Sequence, residues 1–282
     1  MPASKLKTIV IIILTLVVIL LLSLMAPLRL QSQEQKRQIG QRLETLFASY
    51  GLELDAERIP DSRSLYLLEL DADDVSDLTA ITALLGSEVL QQDDSTRYLS
   101  SYQSALGSCQ TSRTGSFTAQ LNQGPSGNNL PELTKKILTQ MGIAVSSVSE
   151  PVRLSAGVYE VKAVQQLLSV PNFTSDVRFQ FENNTLVEIS GTLFLGTQSV
   201  MRVGDEVCIS ATDALVRLLS SRNALGWVGK SVLSIQQGYI RSETASAASV
   251  RFTPVWLVET DTGYFEINAM TGDVSSSKSW LE

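Results

Sequence analysis

The sequence predicts an α+β protein: an N-terminal transmembrane helix followed by two extracytoplasmic domains of antiparallel sheets with helices packed on one face. Three observations predict it. Residues 8–28 carry no charge. Three later segments repeat apolar residues at helical spacing, two of them stopped by a glycine. Between and after these helices, apolar and polar residues alternate with the period of two that marks a half-buried strand.

The uncharged run, TIVIIILTLVVILLLSLMAPL from Thr8 to Leu28, rises as a helix about 1.5 Å per residue to roughly 30 Å, a bilayer's hydrocarbon thickness. Roughly fifteen of its residues are Ile, Leu or Val, each favouring insertion by about 0.3–0.6 kcal/mol at the helix centre. The rival reading is a cleaved secretory signal, with Lys5 and Lys7 as its basic start and Ser23 and Ala26 as small residues. The run exceeds an ordinary signal core, no A-x-A site follows it, and Pro27 sits just after the natural cut, so an uncleaved anchor is expected. Arg29, Lys36, Arg37 and Arg42 nearly match the basic charge upstream, but Glu34 and Glu44 dilute them and long domains translocate largely regardless of charge. The expectation is therefore a single-pass protein of the cell membrane. Residues 1–7 are cytoplasmic, 8–28 span, 29–37 form a polar stalk, and the rest lies outside.

Ile39, Leu43, Leu46, Phe47 and Tyr50 share one helical face, and Gly51 supplies a cheap left-handed cap. A strand follows at 65–70, and Asp77 caps a helix over 78–85. Residues 97–129 are rich in Ser, Gly, Gln and Thr, and Gly-Pro-Ser-Gly-Asn-Asn at 124–129 reads as a boundary, with a strand at 116–121 closing the first domain. The domains are therefore placed at 38–125 and 130–282.

The second domain opens on a helix whose face carries Leu133, Ile137, Leu138 and Met141, stopped by Gly142. Strands follow at 157–163, 177–181 and 186–195, the last two a hairpin through Glu182-Asn183-Asn184 with one solvated face. Ser210 caps the next helix, where Ala211, Ala214, Leu215, Leu218 and Leu219 repeat and Asp213 suits the positive helix end. Strands at 232–241, 252–259 and 264–268 complete the chain, the last two joined through Asp261-Thr262-Gly263. A helix followed by antiparallel strands thus recurs at 133–198 and 208–275, with a degenerate copy at 38–70.

Composition excludes several functions. A net charge of −7 and a pI near 4.8 leave no basic cluster for nucleic acid. The chain has 0 histidines, which removes the commonest general base, triad partner and zinc ligand. Carboxylate-pair and Ser-Lys chemistry remain open, but no motif for either is present. No catalytic, cofactor-binding or metal residue is assigned, no cofactor is expected, and the chain reads as a non-enzyme.

The 2 cysteines exclude a disulfide framework. Cys109 reads as a loop residue and Cys208 as a small buried hydrophobe at a strand or helix entry, and a bridge between them stays open. Asp71, Asp73, Asp74 and Asp77 invite a calcium loop, yet Ser76 and Thr82 stand where the loop needs Gly and Glu, so a solvated turn with a helix cap is expected. Glu259 and Asp261 flank a good turn. Asn172 and Asn183 begin glycosylation sequons.

The segment TPVWLVETDTGYFEINAMTGDV, Thr253 to Val274, joins a strand through Pro-Val-Trp to a turn, an aromatic and a closing Asn-Ala-x-Thr-Gly. With the preceding helix and IQQGYI it resembles PepSY-type modules. More narrowly, the layout is similar to the YycH/YycI group of two-component regulatory proteins, YycI being nearer in length. Trp256 and Phe265 read as sheet-packing aromatics, Asn268 and Gly272 as turn residues.

The resemblance implies a membrane-anchored, extracytoplasmic accessory regulator of a cell-wall sensor histidine kinase in Gram-positive bacteria. Such a protein would work by contact with the kinase and with a sister single-span regulator. Within the apolar run, Thr15 and Ser23 are the polar candidates for helix contact, and membrane lipid explains the same residues equally well. The alternative is a PepSY-type binding or inhibitory module acting on a secreted protease or in spore-cortex control.

Overall fold

The computed structural model describes residues 13–18, 34–71, 77–94, 99–112, 114–197, 200–205, 207–242 and 249–277. After a helical segment at 13–18, helix α1 covers 34–49. Strand β1 (Leu67–Asp71) follows. Helix α2 (Asp77–Leu85) then leads into a four-stranded meander: β2 (Leu90–Asp94), β3 (Leu99–Ser104), β4 (Gly107–Ser112) and β5 (Ser116–Leu121). Helix α3 (Leu130–Gln140) leads into β6 (Val145–Val148), β7 (Val152–Ser155), β8 (Val158–Leu167), β9 (Val170–Pro171), β10 (Val177–Glu182) and β11 (Thr185–Thr192). After β12 (Met201–Val203), helix α4 (Ala211–Leu225) leads into β13 (Val232–Ser242), β14 (Ser249–Thr260), β15 (Gly263–Asn268) and β16 (Val274–Ser277).

The strands form two antiparallel sheets. The middle sheet runs β2-β3-β4-β5-β11-β10-β8-β6, with β7 and β9 also paired to β8. The outer sheet runs β12-β1-β14-β15-β16, with β13 on the other edge of β14. The helix-plus-meander unit therefore occurs three times, beginning at α2, α3 and α4. Two copies join edge to edge through β5 and β11, in the register Ile189 with Ala119. The third takes in β1 from the start of the chain, Leu68 pairing with Phe252.

The sheets thus divide the chain differently from a cut at 125–130. Residues 90–192 build the middle sheet, while 67–71 and 201–277 build the outer one. The Gly-Pro-Ser-Gly-Asn-Asn cluster is a tight crossover pinned by Gly127 N–H to the Asn184 carbonyl and Leu186 N–H to the Pro125 carbonyl.

Three expectations are corrected. The expected fold class included an N-terminal transmembrane helix, and among the described residues no helix is long and apolar enough to cross a membrane. Within 8–28 only 13–18 are described, about 9 Å of helical rise; the remainder, Ser23 included, lies outside the described residues. Summed hydropathy measures how well a run partitions into lipid, not how far a helix continues. Second, residues 97–129 hold strands β3 and β4 as well as β5. Third, Cys109 is a buried residue of β4 and not a loop residue, and no disulfide joins Cys109 to Cys208.

The cores follow the sheets. α2 and α3 cover one face of the middle sheet, over Ile81, Phe117, Ile137, Phe179, Phe181 and Ile189. α1 and α4 cover one face of the outer sheet, over Phe47, Leu215, Leu218, Trp256 and Ile267. A third cluster, including Leu68, Leu167, Phe194, Tyr239 and Phe252, lies between the sheets. There Phe194 meets Phe252 edge-on with ring centroids 5.0 Å apart.

Polar groups lock the same junction. Phe173 N–H donates to the Tyr239 carbonyl (2.7 Å), and Arg241 N–H donates to Thr174 Oγ1 (2.6 Å). Gln165 pairs with both backbone groups of Phe194, donating from Nε2 (2.6 Å) and accepting at Oε1 (3.2 Å). Tyr239 donates to the Tyr66 carbonyl, and burial pushes its phenol up to about 12. Gly238 is required at this junction, because a Cβ there would run into the Phe173 ring and the Pro171 carbonyl.

Several local expectations hold. The 182–184 hairpin turns through Asn183 and Asn184, both at positive φ (49° and 65°), as a tight right-twisted turn requires. Ser210 and Asp213 form a reciprocal capping box on α4, and Gly226 ends the helix at φ 65°. Asn268 Oδ1 accepts from the N–H groups of Met270 and Thr271, closing the final hairpin.

Candidate interaction surface

α1 carries the predicted apolar stripe, but the fold uses only part of it. Leu43 and Phe47 are buried against α4 and the outer sheet. Ile39, Leu46 and Tyr50 stay on the surface at 46%, 37% and 58% exposure. With offsets of seven and four, these three form one row along the helix. The buried arc is fixed by close packing at Gly40, where an added Cβ would lie 2.9 Å from that of Ala56.

α1 and α4 lie side by side and point the same way. The last carbonyl region of α1 is held at Tyr50 O by Arg222 Nη1 (3.1 Å), near the end of α4. The first turns of α1 face Ala211 and Thr212 at the start of α4 across a cleft of about 790 Å³. The segment 56–62 closes its third side. Glu44 anchors that segment by accepting from the Ala56 N–H (2.7 Å), and Ser62 Oγ accepts from the Ala211 N–H (3.1 Å). At the mouth, Lys36 and Asp61 pair at 2.6 Å, both well exposed. Such an exposed pair contributes under about 1 kcal/mol.

The other sequence candidates are placed as follows. Thr15 lies in the helical segment 13–18, and Ser23 lies outside the described residues. Asp71 ends β1 opposite Ser249 and Asp77 begins α2, while Asp73 and Asp74 lie outside the described residues. Among the described residues no group of three or more Cys, Asp or Glu side chains is placed to hold a metal. Asp261 accepts from the Lys230 N–H (2.8 Å), and Glu259 accepts from Ser234 Oγ (2.8 Å) and Tyr264 OH (3.3 Å), so both carboxylates serve the hairpin. Asn172 is fully buried at the sheet junction, which closes it to modification. Cys208 donates its thiol proton to the Leu65 carbonyl (3.0 Å), and burial pushes its pKa up, opposite to the shift a reactive thiol needs.

The partition of the α1 stripe is the feature that sequence reasoning missed. Its one legible signal is Gly40, a glycine inside a helix, which marks the side of closest approach.

No family model matches the chain, and no curated protein matches it. Among solved structures it is similar to an uncharacterized protein from Eubacterium rectale ATCC 33656, with a TM-score of 0.48 and 10% identity over 77% of this chain and 86% of that one. That likeness assigns neither family nor function.

Proposed function

We propose that this chain is a non-catalytic accessory regulator that works by protein contact at the cell membrane, its sheets on the extracytoplasmic side. The partners in this reading are a cell-wall sensor histidine kinase and a sister regulator of similar build. The observation that carries it is the row Ile39, Leu46 and Tyr50, exposed along α1 and its end while the large apolar residues Leu43 and Phe47 of the same helix are buried. Large apolar side chains aligned on one exposed helix face suit a partner helix or groove. The sensor-kinase assignment rests on the C-terminal hairpin's resemblance to the YycH/YycI group. The absence of histidine and of a recognised catalytic motif in the sequence favours binding over catalysis.

The test is site-specific photocrosslinking from Leu46 in the full chain in native membranes, with mass spectrometry of the captured protein. Capture of a histidine kinase or a similar regulator, lost on Tyr50→Glu without a change in melting temperature, is the expected result. Capture of neither, or unchanged wall-stress transcription after deletion of the gene, overturns the proposal. Inhibition of a secreted protease by the full chain in its place would transfer the reading to the PepSY-type inhibitory module.

A further inference from the structure

A second cleft, of about 720 Å³, opens on the middle unit, away from α1. Among its lining residues is Tyr159 on β8, half-buried and packed against the middle core. Pro131 at the start of α3 and Pro151 at the β6–β7 corner stand on either side. Polar groups converge on it from separate elements: Asn128 and Asn184 from the crossover and the 182–184 turn, and Glu132, Lys135 and Glu150 from α3 and the β6–β7 corner.

Each wall is held in place. The α3 start is capped by Asn129, whose Oδ1 accepts from the Glu132 N–H (3.2 Å). The crossover is laddered to the hairpin through Gly127 and Asn184, and the corner is fixed by Ser149, which exchanges hydrogen bonds with Lys162 through its backbone and its hydroxyl. The cleft is thus formed before anything binds, which removes much of the ordering cost of association.

Its chemistry narrows the ligand. Two carboxylates against one ammonium give no cationic field for phosphate or nucleotide. Exposed carboxylates and amides rule out a wholly apolar ligand, whose burial would strip them of water. Amides, two carboxylates and one ammonium around an amphipathic aromatic ring suit a molecule with many hydroxyls and one apolar face, whose hydroxyls can both donate and accept. We infer that this cleft binds a neutral sugar chain, with one ring lying on Tyr159 between Pro131 and Pro151 and its hydroxyls bonded to Asn128, Asn184 and Glu132. This goes beyond the regulatory reading and involves none of the α1 residues on which that reading rests.

The experiment is titration of the full chain in detergent micelles with chitotetraose and, separately, cellotetraose, followed by calorimetry and ligand-observed NMR. Binding of at least one sugar with a Kd below about 1 mM, weakened tenfold or more by Tyr159→Ala and by Asn184→Gly, is expected. Glycine accepts the positive φ of residue 184, so that variant keeps its turn, and Glu132→Gln provides a further variant at an exposed position. No binding of either sugar at 10 mM overturns the inference. So does binding that Asn184→Gly and Glu132→Gln both leave unchanged.

Discussion

The middle and outer sheets are built from the same helix-plus-meander unit, yet they bury their strands in opposite ways. In the middle sheet β5 and β10 alternate buried and exposed residues, because helices cover one face and solvent the other. In the outer sheet β14 is buried nearly without interruption from Phe252 to Val258. α1 and α4 cover one face, and the segment around Phe173, reaching over from the middle unit, covers part of the other. A strand reads as alternating or continuous according to how many layers lie on it, not according to the unit it belongs to.

The largest expected effect tests whether the two sheets unfold together. Trp256 is fully buried, with its Nε1 donating to the Ile209 carbonyl (3.0 Å), so Trp256→Ala costs about 3–5 kcal/mol. Both far-ultraviolet circular dichroism, which sees both sheets, and the fluorescence of Trp227 in the outer unit should report the same lowered transition. Two separate midpoints in this variant would show the sheets to be independent.

Phe173→Ala sharpens the same comparison. It removes the side chain that crosses from the middle unit onto Val255 and Leu257 and is expected to cost about 3 kcal/mol, the low end for a buried Phe→Ala change. Here the two probes should part, the outer sheet melting first. A single coincident transition would mean that the cluster between the sheets couples them without Phe173.

Smaller effects should stay within the outer unit. Ser210→Ala removes the capping box of α4 and should lower stability by about 1 kcal/mol, visible as a lower denaturant midpoint with an unchanged slope. Glu266 on β15 is pushed above the ordinary glutamate value of 4.5 by burial. Its charged form is therefore disfavoured in the fold, and the stability linked to it is full below pH 4.5 and lost as pH rises through the folded value. Glu266→Gln should raise stability slightly at pH 7, by less than about 1 kcal/mol after solvent screening, seen as a small rise in melting temperature, with no gain at pH 4. An equal gain at both values would point to packing in place of charge.

The sequence showed where chemistry is local. The 182–184 turn, the Ser210 cap and the Asn268 turn each depend on a few adjacent residues, and all three are readable without knowing the rest of the fold. Strands β2 to β4 were not, because they carry few large apolar residues beyond Tyr102 and are held by pairing to β5, itself paired to β11. The partner of β1 was equally hidden, since nothing near Leu68 indicates Phe252. The surface row on α1 shared the fate of all wide stripes: apolar spacing shows a face, while the neighbour that covers half of it is supplied by distant chain. The apolar run at 8–28 shows the opposite limit, composition without an observed helix of matching length.

The pairing of Leu68 with Phe252 also sets an order of events during synthesis. The middle unit is contiguous, so it can complete its own sheet while the rest of the chain is still on the ribosome. α1 and β1, made before the middle unit, have only the short strand β12 to pair with until β14 emerges, and closing so long a loop is cheaper once the intervening chain has collapsed. A chain cut short before Ser249 would carry a finished middle unit, leave Leu68 without its β14 partner and leave Leu43 and Phe47 covered by α4 but not by the central strand of the outer sheet. The outer sheet therefore closes only once β14 has been made, and until then the inward face of β1 stays without its main partner.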